Sequence, residues 1–460
     1  MPPATTFKLR IDADAAIDGT GRAQSPASML VEVAQTAEVL EGTPAGRVTL
    51  LSIDHPQRMD NDPRATGAYR ADYTGCVLIP GLVNAHTHLD LTHIGPLPFD
   101  KSQGFTGFIK TVLQHRLSDD AKIADSVSKG ITLSLKGGVV AVGDICGVAN
   151  GQPCLTPFHT LRKSQLSGVS YLEFFAIGNT PFPSLPPGGA TWESLASTPE
   201  TRVRLGLSPH APYTVSLDAY AQAESLAAKH HLPLCTHAAE TPEERDFIAT
   251  ASGPFRSFLE RAGWWNDAVA GPDGVGQGKT PLRHLMQRLE ASPYLLAHVN
   301  QLSSEDLRVL THTHSAIAYC PRASHYFDAA SHFGRHRYQD MQIANLCVAL
   351  GTDSVINLPP TTTQSKGRIS TLDEARFLFQ RDETDPRLLL AMCTINGARA
   401  LGLSTAAFRF PTTGDWGTSG GQEIAGIVAV PAPAKADPFT RLMACDTAPD
   451  LLVLGQPPFA

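Results

Sequence analysis

The chain has 460 residues, of which 42% are hydrophobic and 18% are charged, and its formal net charge is −7. These values exclude a disordered chain and are typical of a globular protein with room for one large and one smaller domain. The sequence has no basic cluster and no run of about 20 apolar residues, which argues against a nucleic-acid partner and a membrane span.

Both ends of the chain predict short β-strands. Turns rich in Gly, Pro, Asp and Asn separate the β-type runs near the N-terminus, and two similar runs lie near the C-terminus. The runs are Phe7–Ile11, Met29–Val33, Val48–Ile53, Gly426–Val430 and Leu451–Leu454. Because each end is too short for a core of its own, we expect residues 1–75 and 404–460 to form one composite β-sandwich.

Between these ends, residues 76–403 alternate apolar strand-like runs with helix-like segments such as Ser216–Lys229 and Pro281–Glu290. The predicted strands are Cys76–Ile79, Val139–Gly143, Tyr171–Ile177, Arg204–Leu207, Pro233–Thr236, Tyr294–Ala297, Ala316–Cys320 and Cys347–Gly351. This alternation predicts an α/β fold, a (β/α)8 TIM barrel. A doubly wound open sheet is the alternative, but it requires a Gly-rich phosphate turn after its first strand, and the sequence has none.

Three stretches have the composition of inserted loops. Residues 178–200 are rich in Pro, Gly and Ser, and residues 253–280 contain Trp264-Trp265 and a Gly-rich tail. Residues 405–421 are rich in Gly and Thr and link the predicted barrel to the sandwich. Long loops in a barrel either shape access to a pocket or are tolerated surface insertions, and both interpretations stay open.

The stretch GCVLIPGLVNAHTHLDLTHIG, residues 75–95, predicts the first barrel strand followed by a pair of metal ligands. We expect Cys76–Ile79 to be a buried strand that runs through a Pro-Gly turn into His86 and His88. In an extended chain, residues two apart point to the same side, so both imidazoles can reach one metal ion. Taken alone, the pair is more simply two solvated loop histidines.

Polar side chains also follow the other predicted strands, and barrel active sites lie at the C-terminal ends of strands. They are His86 and His88 after the first strand, His210 after the fourth, His237 and Glu240 after the fifth, His298 after the sixth and Asp353 after the eighth. Each residue alone has a structural explanation, as a buried histidine, a turn residue or a helix cap. Their joint occurrence at five strand ends predicts a reaction centre.

Three histidines and one carboxylate are suitable ligands for Zn²⁺ and leave one coordination position for a water molecule. A bound metal ion lowers the pKa of that water to around 7. Glu240, one turn past His237, is well placed to carry a proton to a leaving group. Asp353 can take the proton of the water or bind the metal, and His298 can orient the water.

A second His-x-His pair, His312 and His314, precedes its strand, so we expect it at the opposite end of the barrel. We expect the same of His230 and His231, which also precede their strand.

These motifs give the chain a clear resemblance to the amidohydrolase superfamily over roughly residues 75 to 403. The matching segments are PGLVNAHTHLD, SPHAPYTVS, THAAET, AHVNQL, ALGTDS and NGARALGL. The chain looks most like the branch of ring deaminases and chlorohydrolases, which includes adenosine-type, cytosine, guanine and S-adenosylhomocysteine deaminases and triazine hydrolases.

The resemblance implies one divalent metal ion, Zn²⁺ with Fe²⁺ and Mn²⁺ as alternatives, held by His86, His88, His237 and Asp353. It also implies that Glu240 moves a proton to the ring nitrogen or leaving group, that His298 contacts the hydrolytic water and that His210 contacts substrate. Binuclear relatives carry a carboxylated Lys at the end of strand 4, whereas Val203 to His210 contain no Lys. A single-metal site is therefore favoured.

The chain departs from the family pattern after strand 7, where YCPRASHYF replaces an Asn-rich loop, and near its end, where APDLLVLG replaces a Gly-Lys-Asp-Ala-Asp run. Arg322 and His325 in the first of these segments, with the Trp264-Trp265 insertion, are the predicted determinants of the substrate. A loop histidine packed beside Tyr326 and Phe327 is the alternative explanation of His325.

We therefore predict a metal-dependent hydrolase of non-peptide C–N bonds, which deaminates an amino-substituted heterocycle or a nucleoside-like small molecule. The same site could instead hydrolyse a chloro- or alkylamino-triazine ring, or a cyclic amide or carbamate. A non-catalytic binding scaffold is a remote alternative, because such a chain is expected to lose metal ligands. The other type of zinc deaminase is excluded, because its Pro-Cys-x-x-Cys segment is missing after Pro153-Cys154.

The cysteines and the N-terminal segment bear on the compartment. The chain has 8 cysteines, which are widely scattered without a CxxC pair, and MPPATTFKLRIDADAAID lacks the apolar core of a signal peptide. We expect a reduced, cytoplasmic protein without nucleic-acid or membrane partners. A homodimer is expected only because twofold dimers are the commonest oligomers.

Overall fold

Two eight-stranded sheets organise the described part of the chain, which in this computed structural model comprises residues 5–195, 201–359, 367–410, 421–432 and 436–460. Most of the predicted loop 405–421 and the last residues of the predicted loop 178–200 lie outside the described residues. None of the described helices is long and apolar enough to cross a membrane.

The strands are labelled in chain order. Their bounds are β1 Thr5–Ile17, β2 Ala23–Gln24, β3 Ala27–Leu40, β4 Thr43–Asp54, β5 Tyr69–Pro80, β6 Leu82–Thr87, β7 Val139–Cys146, β8 Val148–Ala149, β9 Gln152–Pro153, β10 Ser167–Phe174, β11 Val203–Pro209, β12 Leu234–Ala238, β13 Tyr294–His298, β14 Ala316–Tyr319, β15 Val348–Leu350, β16 Gln422–Glu423, β17 Gly426–Pro431 and β18 Asp450–Leu454.

The first sheet is a nearly closed barrel of eight parallel strands, in the order β6-β7-β10-β11-β12-β13-β14-β15. Strands such as β7 and β10 are buried along their whole length, as parallel strands covered on both faces are. A parallel bridge between Thr87 and Asp353 joins the first strand to the segment after the last. The prediction of a barrel of eight parallel strands is thus confirmed.

Most helices lie between strands of the barrel or after its last strand, whereas the first lies between β4 and β5 and the last between β17 and β18. Their bounds are α1 Pro56–Met59, α2 Gly104–His115, α3 Asp120–Lys136, α4 Thr156–Lys163, α5 Leu217–His230, α6 Pro242–Thr250, α7 Pro254–Arg261, α8 Pro281–Ala291, α9 Ser304–Leu310, α10 Pro321–Tyr326, α11 Ala329–Phe333, α12 Tyr338–Ile343, α13 Thr371–Asp382, α14 Pro386–Cys393, α15 Ile395–Ala400 and α16 Pro438–Ala444. The two helices whose bounds were predicted, α5 and α8, each begin after an N-cap residue. The side chain of Ser216 accepts the N–H of Ala219, and the side chain of Thr280 accepts the N–H of Arg283.

One predicted barrel strand is wrong. Cys76–Ile79 belongs to β5, which pairs with β1 and β17 in the second sheet, and the first barrel strand is β6, Leu82–Thr87. Both segments are buried and apolar, so composition cannot separate them. The chain changes sheets at Gly81, whose N–H donates to the carbonyl of Gly426.

The second sheet combines strands from both ends of the described chain. Its order is β16-β4-β18-β17-β5-β1-β2, with β3 paired to β1 and β4. Alternate residues of β1 and β3, among them Ile11, Met29 and Val31, form an apolar cluster with Ile427 and Val453. Hydrogen bonding therefore ties the C-terminal strands to the N-terminal ones, beside the barrel.

Candidate active site

His86 and His88 lie at the C-terminal end of β6, with their ring centroids 5.1 Å apart. His86 is fully buried, and among the described residues neither of its ring nitrogens has a hydrogen-bond partner. Nδ1 of His88 is likewise buried without a partner in that part of the chain. Leaving a buried polar atom unpaired costs about 1–3 kcal/mol. Several such atoms side by side point to a ligand that these nitrogens bind.

His237 and Asp353 come from the ends of two other barrel segments and meet this pair. Nε2 of His237 lies 3.4 Å from Nε2 of His88, and Oδ1 of Asp353 lies 3.4 Å from Nε2 of His88 and 3.9 Å from Nε2 of His86. Ligand atoms of the three histidines lie within 4.8 Å of one another, as do those of His86, His298 and Asp353. The arrangement has the size of a site for one cation.

Hydrogen bonds fix the orientation of two of these side chains, His237 and Asp353. Nδ1–H of His237 donates to the carbonyl of His210 over 2.9 Å, which leaves Nε2 free to face the other histidines. Asn357 donates to Oδ2 of Asp353 over 2.5 Å, which leaves Oδ1 toward His88. Three imidazoles and one carboxylate are a donor set that fits Zn²⁺.

The buried histidines are held in the neutral form that binds metals. Burial lowers the pKa of His86, His88 and His298 well below the usual value, and neighbouring imidazoles lower it further. The pKa of His237 falls to about 4, again because of burial. Burial also raises the pKa of Asp353 to about 6.

Several residues of the site adopt a left-handed backbone conformation that side chains other than glycine rarely take. His298, Val299, Asp353 and Ala239 have φ values of 72°, 52°, 55° and 56°. Local hydrogen bonds compensate: Nε2–H of His336 donates to the carbonyl of His298, while Nδ1 of His336 accepts the N–H of Tyr338. Strain of this kind is common where a site holds side chains in fixed positions.

Glu240 follows β12 and is 5% exposed. Its Oε1 lies 3.5 Å from Nε2 of His298. Burial, with Asp353 and Glu244 nearby, raises the pKa of Glu240 well above its usual value, so the carboxyl favours its neutral, proton-carrying form. The carboxylate of Glu244 anchors the backbone here, because it accepts the N–H of Ala239 over 2.9 Å and that of Glu240 over 2.7 Å.

A cavity of about 300 Å³ opens over these groups. Its inner end is polar and exposes His88, His210, His237, Glu240, His298 and Asp353. Its outer walls are largely apolar and include Phe105, Phe108, Val112, Phe175, Phe258 and Trp264. The shape suits a small molecule whose polar end reaches the histidines.

The predicted substrate contacts do not all lie in this cavity. His210 lines it, with Nδ1 2.7 Å from Oγ1 of Thr214, and so does Trp264 of the predicted insertion. Arg322 is buried against Glu374, with 2.6 Å between its Nε and Oε1, and His325 is exposed beside Phe377. Neither lines the cavity, so the structure does not bring these two residues together with the other candidate groups, and their contact with substrate stays a prediction.

Two charged residues of the cavity lining were missed by the sequence reasoning. Arg116 follows α2 directly, and Glu173 lies next to the last residue of β10. A carboxylate in the apolar run YLEFF was the available signal for Glu173, whereas nothing local marked Arg116. The second His-x-His pair lies before β14, as expected, with His312 and His314 exposed.

Comparisons with known proteins agree with this geometry. The model of the amidohydrolase family matches residues 77–407. The chain is 28% identical over 408 residues to the aminodeoxyfutalosine deaminase of Deinococcus radiodurans, an alignment that covers 86% of each protein. Among solved structures, Helicobacter pylori aminofutalosine deaminase in complex with methylthio-coformycin has a TM-score of 0.70 at 19% identity, covering 98% of this chain and 99% of that one. An adenosine deaminase from Xanthomonas campestris with bound zinc has a TM-score of 0.63 at 18% identity, covering 99% and 93%.

Proposed function

The chain belongs to the amidohydrolase family, and on that premise we propose that it hydrolytically deaminates a nucleoside-like amino-heterocycle. The observation that carries the proposal is the meeting of three histidines and Asp353 with Glu240, whose pKa is raised by burial, at the inner end of one cavity. Support comes from the relatives, which are deaminases of aminodeoxyfutalosine and adenosine by name.

We assign one divalent metal ion to His86, His88, His237 and Asp353, and we favour zinc, which the related Xanthomonas structure contains. The unpaired buried nitrogens of His86 are the observation in this chain that fits such an ion. When bound, the ion would make a water molecule acidic enough to act as a nucleophile near pH 7.

The protein groups then divide the proton transfers. Asp353 accepts a proton from the attacking water, and Glu240 delivers one to the ring nitrogen next to the carbon attacked. The carbon gains the oxygen of the water, and Asp353 passes its proton on to the exocyclic nitrogen, whose bond to the carbon breaks as ammonia leaves. The hydroxyl group left on the carbon returns a proton to Glu240, so that the product carries C=O beside a ring N–H and both carboxyl groups are restored. His298, 3.5 Å from Glu240, orients the water, and His210 contacts the ring from the neighbouring strand end.

The decisive test is the variant Glu240→Gln, which keeps the size of the side chain but cannot release a proton. We expect it to retain metal and to lose ammonia release by about 10²- to 10⁴-fold, the usual contribution of a general acid–base group. Asp246→Asn, an exposed change on α6, is the matched control. Normal turnover by the Glu240 variant, or no ammonia from any of a panel of amino-heterocycles, would overturn the proposal.

We also propose that the two ends of the chain, the second of them residues 404–460, form a composite β-sandwich domain beside the barrel, which the pairing of β17 with β5 supports. The predicted boundary between residues 75 and 76 moves to Gly81, because residues 76–80 pair with β17 and the first barrel strand begins at Leu82. A reducing, cytoplasmic setting is proposed because all eight cysteines are free. A homodimer is proposed from its general frequency alone.

A further inference from the structure

Glu173 is a buried carboxyl group in the wall of the cavity for which the mechanism has no role. It lies at the C-terminal end of β10, is 2% exposed and lines the cavity. Within the described residues its carboxyl accepts no hydrogen bond. Its charged neighbour is Arg116, whose Nη2 lies 3.7 Å from Oε2, beyond hydrogen-bond distance.

Other buried carboxyl groups near the site differ in this respect. Glu244 accepts two backbone N–H groups, Asp144 accepts the N–H of Leu89, and Asp353 accepts the amide of Asn357. Buried carboxylates normally have such donors, because desolvation without them is costly. Of the carboxyl groups that line the cavity, Glu173 and Glu240 are the two without a hydrogen bond to their side chains, and Glu240 has a role in proton transfer.

Arg116 lies close enough to Glu173 for an ion pair through Nη2 but not for a hydrogen bond, and other acceptors hold its Nη1. Its Nη1 donates to Oδ2 of Asp90 and to the carbonyl of Val148, both over 2.8 Å. Burial raises the pKa of Glu173 to about 7, although the positive charge of Arg116 lowers it, so the carboxylate form predominates above that pH. The oxygens of Glu173 therefore face the cavity as hydrogen-bond acceptors.

We propose that Glu173 determines specificity by accepting hydrogen bonds from the sugar hydroxyls of a nucleoside substrate. This inference rests on the proposed deamination. A carboxylate requires donors, and the ring nitrogens of an adenine-type base are acceptors, while its amino group is at the reaction centre. The hydroxyls are the donors that remain. Glu173 lies within 4.8 Å of ligand atoms of His210 and His237, so it contacts the part of the substrate next to the reacting ring.

The test compares adenosine with 2′-deoxyadenosine and 3′-deoxyadenosine, with wild-type protein and Glu173→Gln, by ammonia release. A site built to bind a hydroxyl rejects the analogue that lacks it. We expect the wild type to prefer adenosine over at least one deoxy analogue by about 10- to 100-fold in kcat/KM, since a hydrogen bond to a charged group has that effect. Glu173→Gln should lose most of this preference through a higher KM for adenosine.

Two controls keep the outcome clear. Glu224→Gln removes a carboxylate that accepts the hydroxyl of Tyr294 outside the cavity, and it should keep the preference. Glu173→Asp keeps the charge but withdraws it by one methylene group, and it should show a reduced preference even if the Gln variant does not fold. An unchanged preference in the Gln or Asp variant, or no preference in the wild type, would overturn the role of Glu173. Absence of ammonia with every amino-heterocycle would instead overturn the proposed function, and this inference with it.

Discussion

Glu244 offers a quantitative test of how the site is built, because it holds the proposed proton carrier without contacting substrate. The side chain is fully buried at the start of α6, where Thr241 caps the helix by accepting the N–H of Glu244. Its two oxygens accept the N–H groups of Ala239 and Glu240. In Glu244→Gln one oxygen remains, and the new NH₂ group faces a backbone N–H that then has no acceptor.

The expected cost follows from that one unsatisfied donor. A buried donor without a partner destabilises the folded state by about 1–3 kcal/mol. The backbone of Glu240 would also shift, and a misplacement of about 1 Å at a reacting group can lower the rate about 100-fold. We therefore expect lower stability and a lower kcat together. Metal content should stay unchanged, because His237 is oriented by its own bond to His210.

Urea unfolding, metal analysis and steady-state kinetics at pH 8 measure these three quantities. At that pH Glu244 is mostly ionised, since burial raises its pKa to about 7. Asp246→Asn on the same helix removes an exposed carboxylate and should change stability by no more than about 0.5 kcal/mol. If Glu244→Gln unfolds at the same urea concentration as the wild type with an unchanged kcat, the anchoring role is refuted.

Three further predictions concern the metal and the second sheet. His86→Ala should abolish metal uptake, whereas His314→Ala, in the exposed turn before β14, should keep it; equal metal contents would contradict the assignment. Removal of metal by a chelator should lower the Tm by about 4 °C, reversibly on adding zinc, if the free ion had been about 1,000 times its Kd. An unchanged Tm would argue against a bound ion. Arg441→Ala should lower the free energy of unfolding, measured with urea, by about 1–3 kcal/mol, because it removes the donor to Asp14 and to the carbonyl of Ala432. Its metal content should stay that of the wild type, and a parallel loss of metal would show that the two sheets are coupled.

The barrel could be predicted because its strands are buried on both faces and therefore appear as continuous apolar runs. The same property led to the wrong assignment of Cys76–Ile79 as a barrel strand, because this segment is as apolar as Leu82–Thr87 but pairs with β17. What assigns the two segments to different sheets is their pairing partners: Cys76–Ile79 pairs with β1, earlier in the chain, and with β17, more than 300 residues further on. No local pattern reports such partners.

The candidate ligands could be predicted because the C-terminal ends of barrel strands converge, so order along the chain translated into proximity. Substrate contacts did not follow this rule. Arg322 comes after the right strand, yet its guanidinium pairs with Glu374 on α13, and Arg116 reaches the cavity from the end of a helix. Their positions depend on how side chains pair after the barrel has formed.

The bridge between Thr87 and Asp353 joins parts of the chain that are 266 positions apart. At about 5–20 residues per second, a ribosome needs on the order of 10–50 s to add that intervening length. During this time the nascent chain carries His86 and His88 without their carboxylate neighbour. The complete set of side chains that we propose for the metal ion therefore exists only after translation has passed the last barrel strand, whereas the three histidines are all present once His237 has been added.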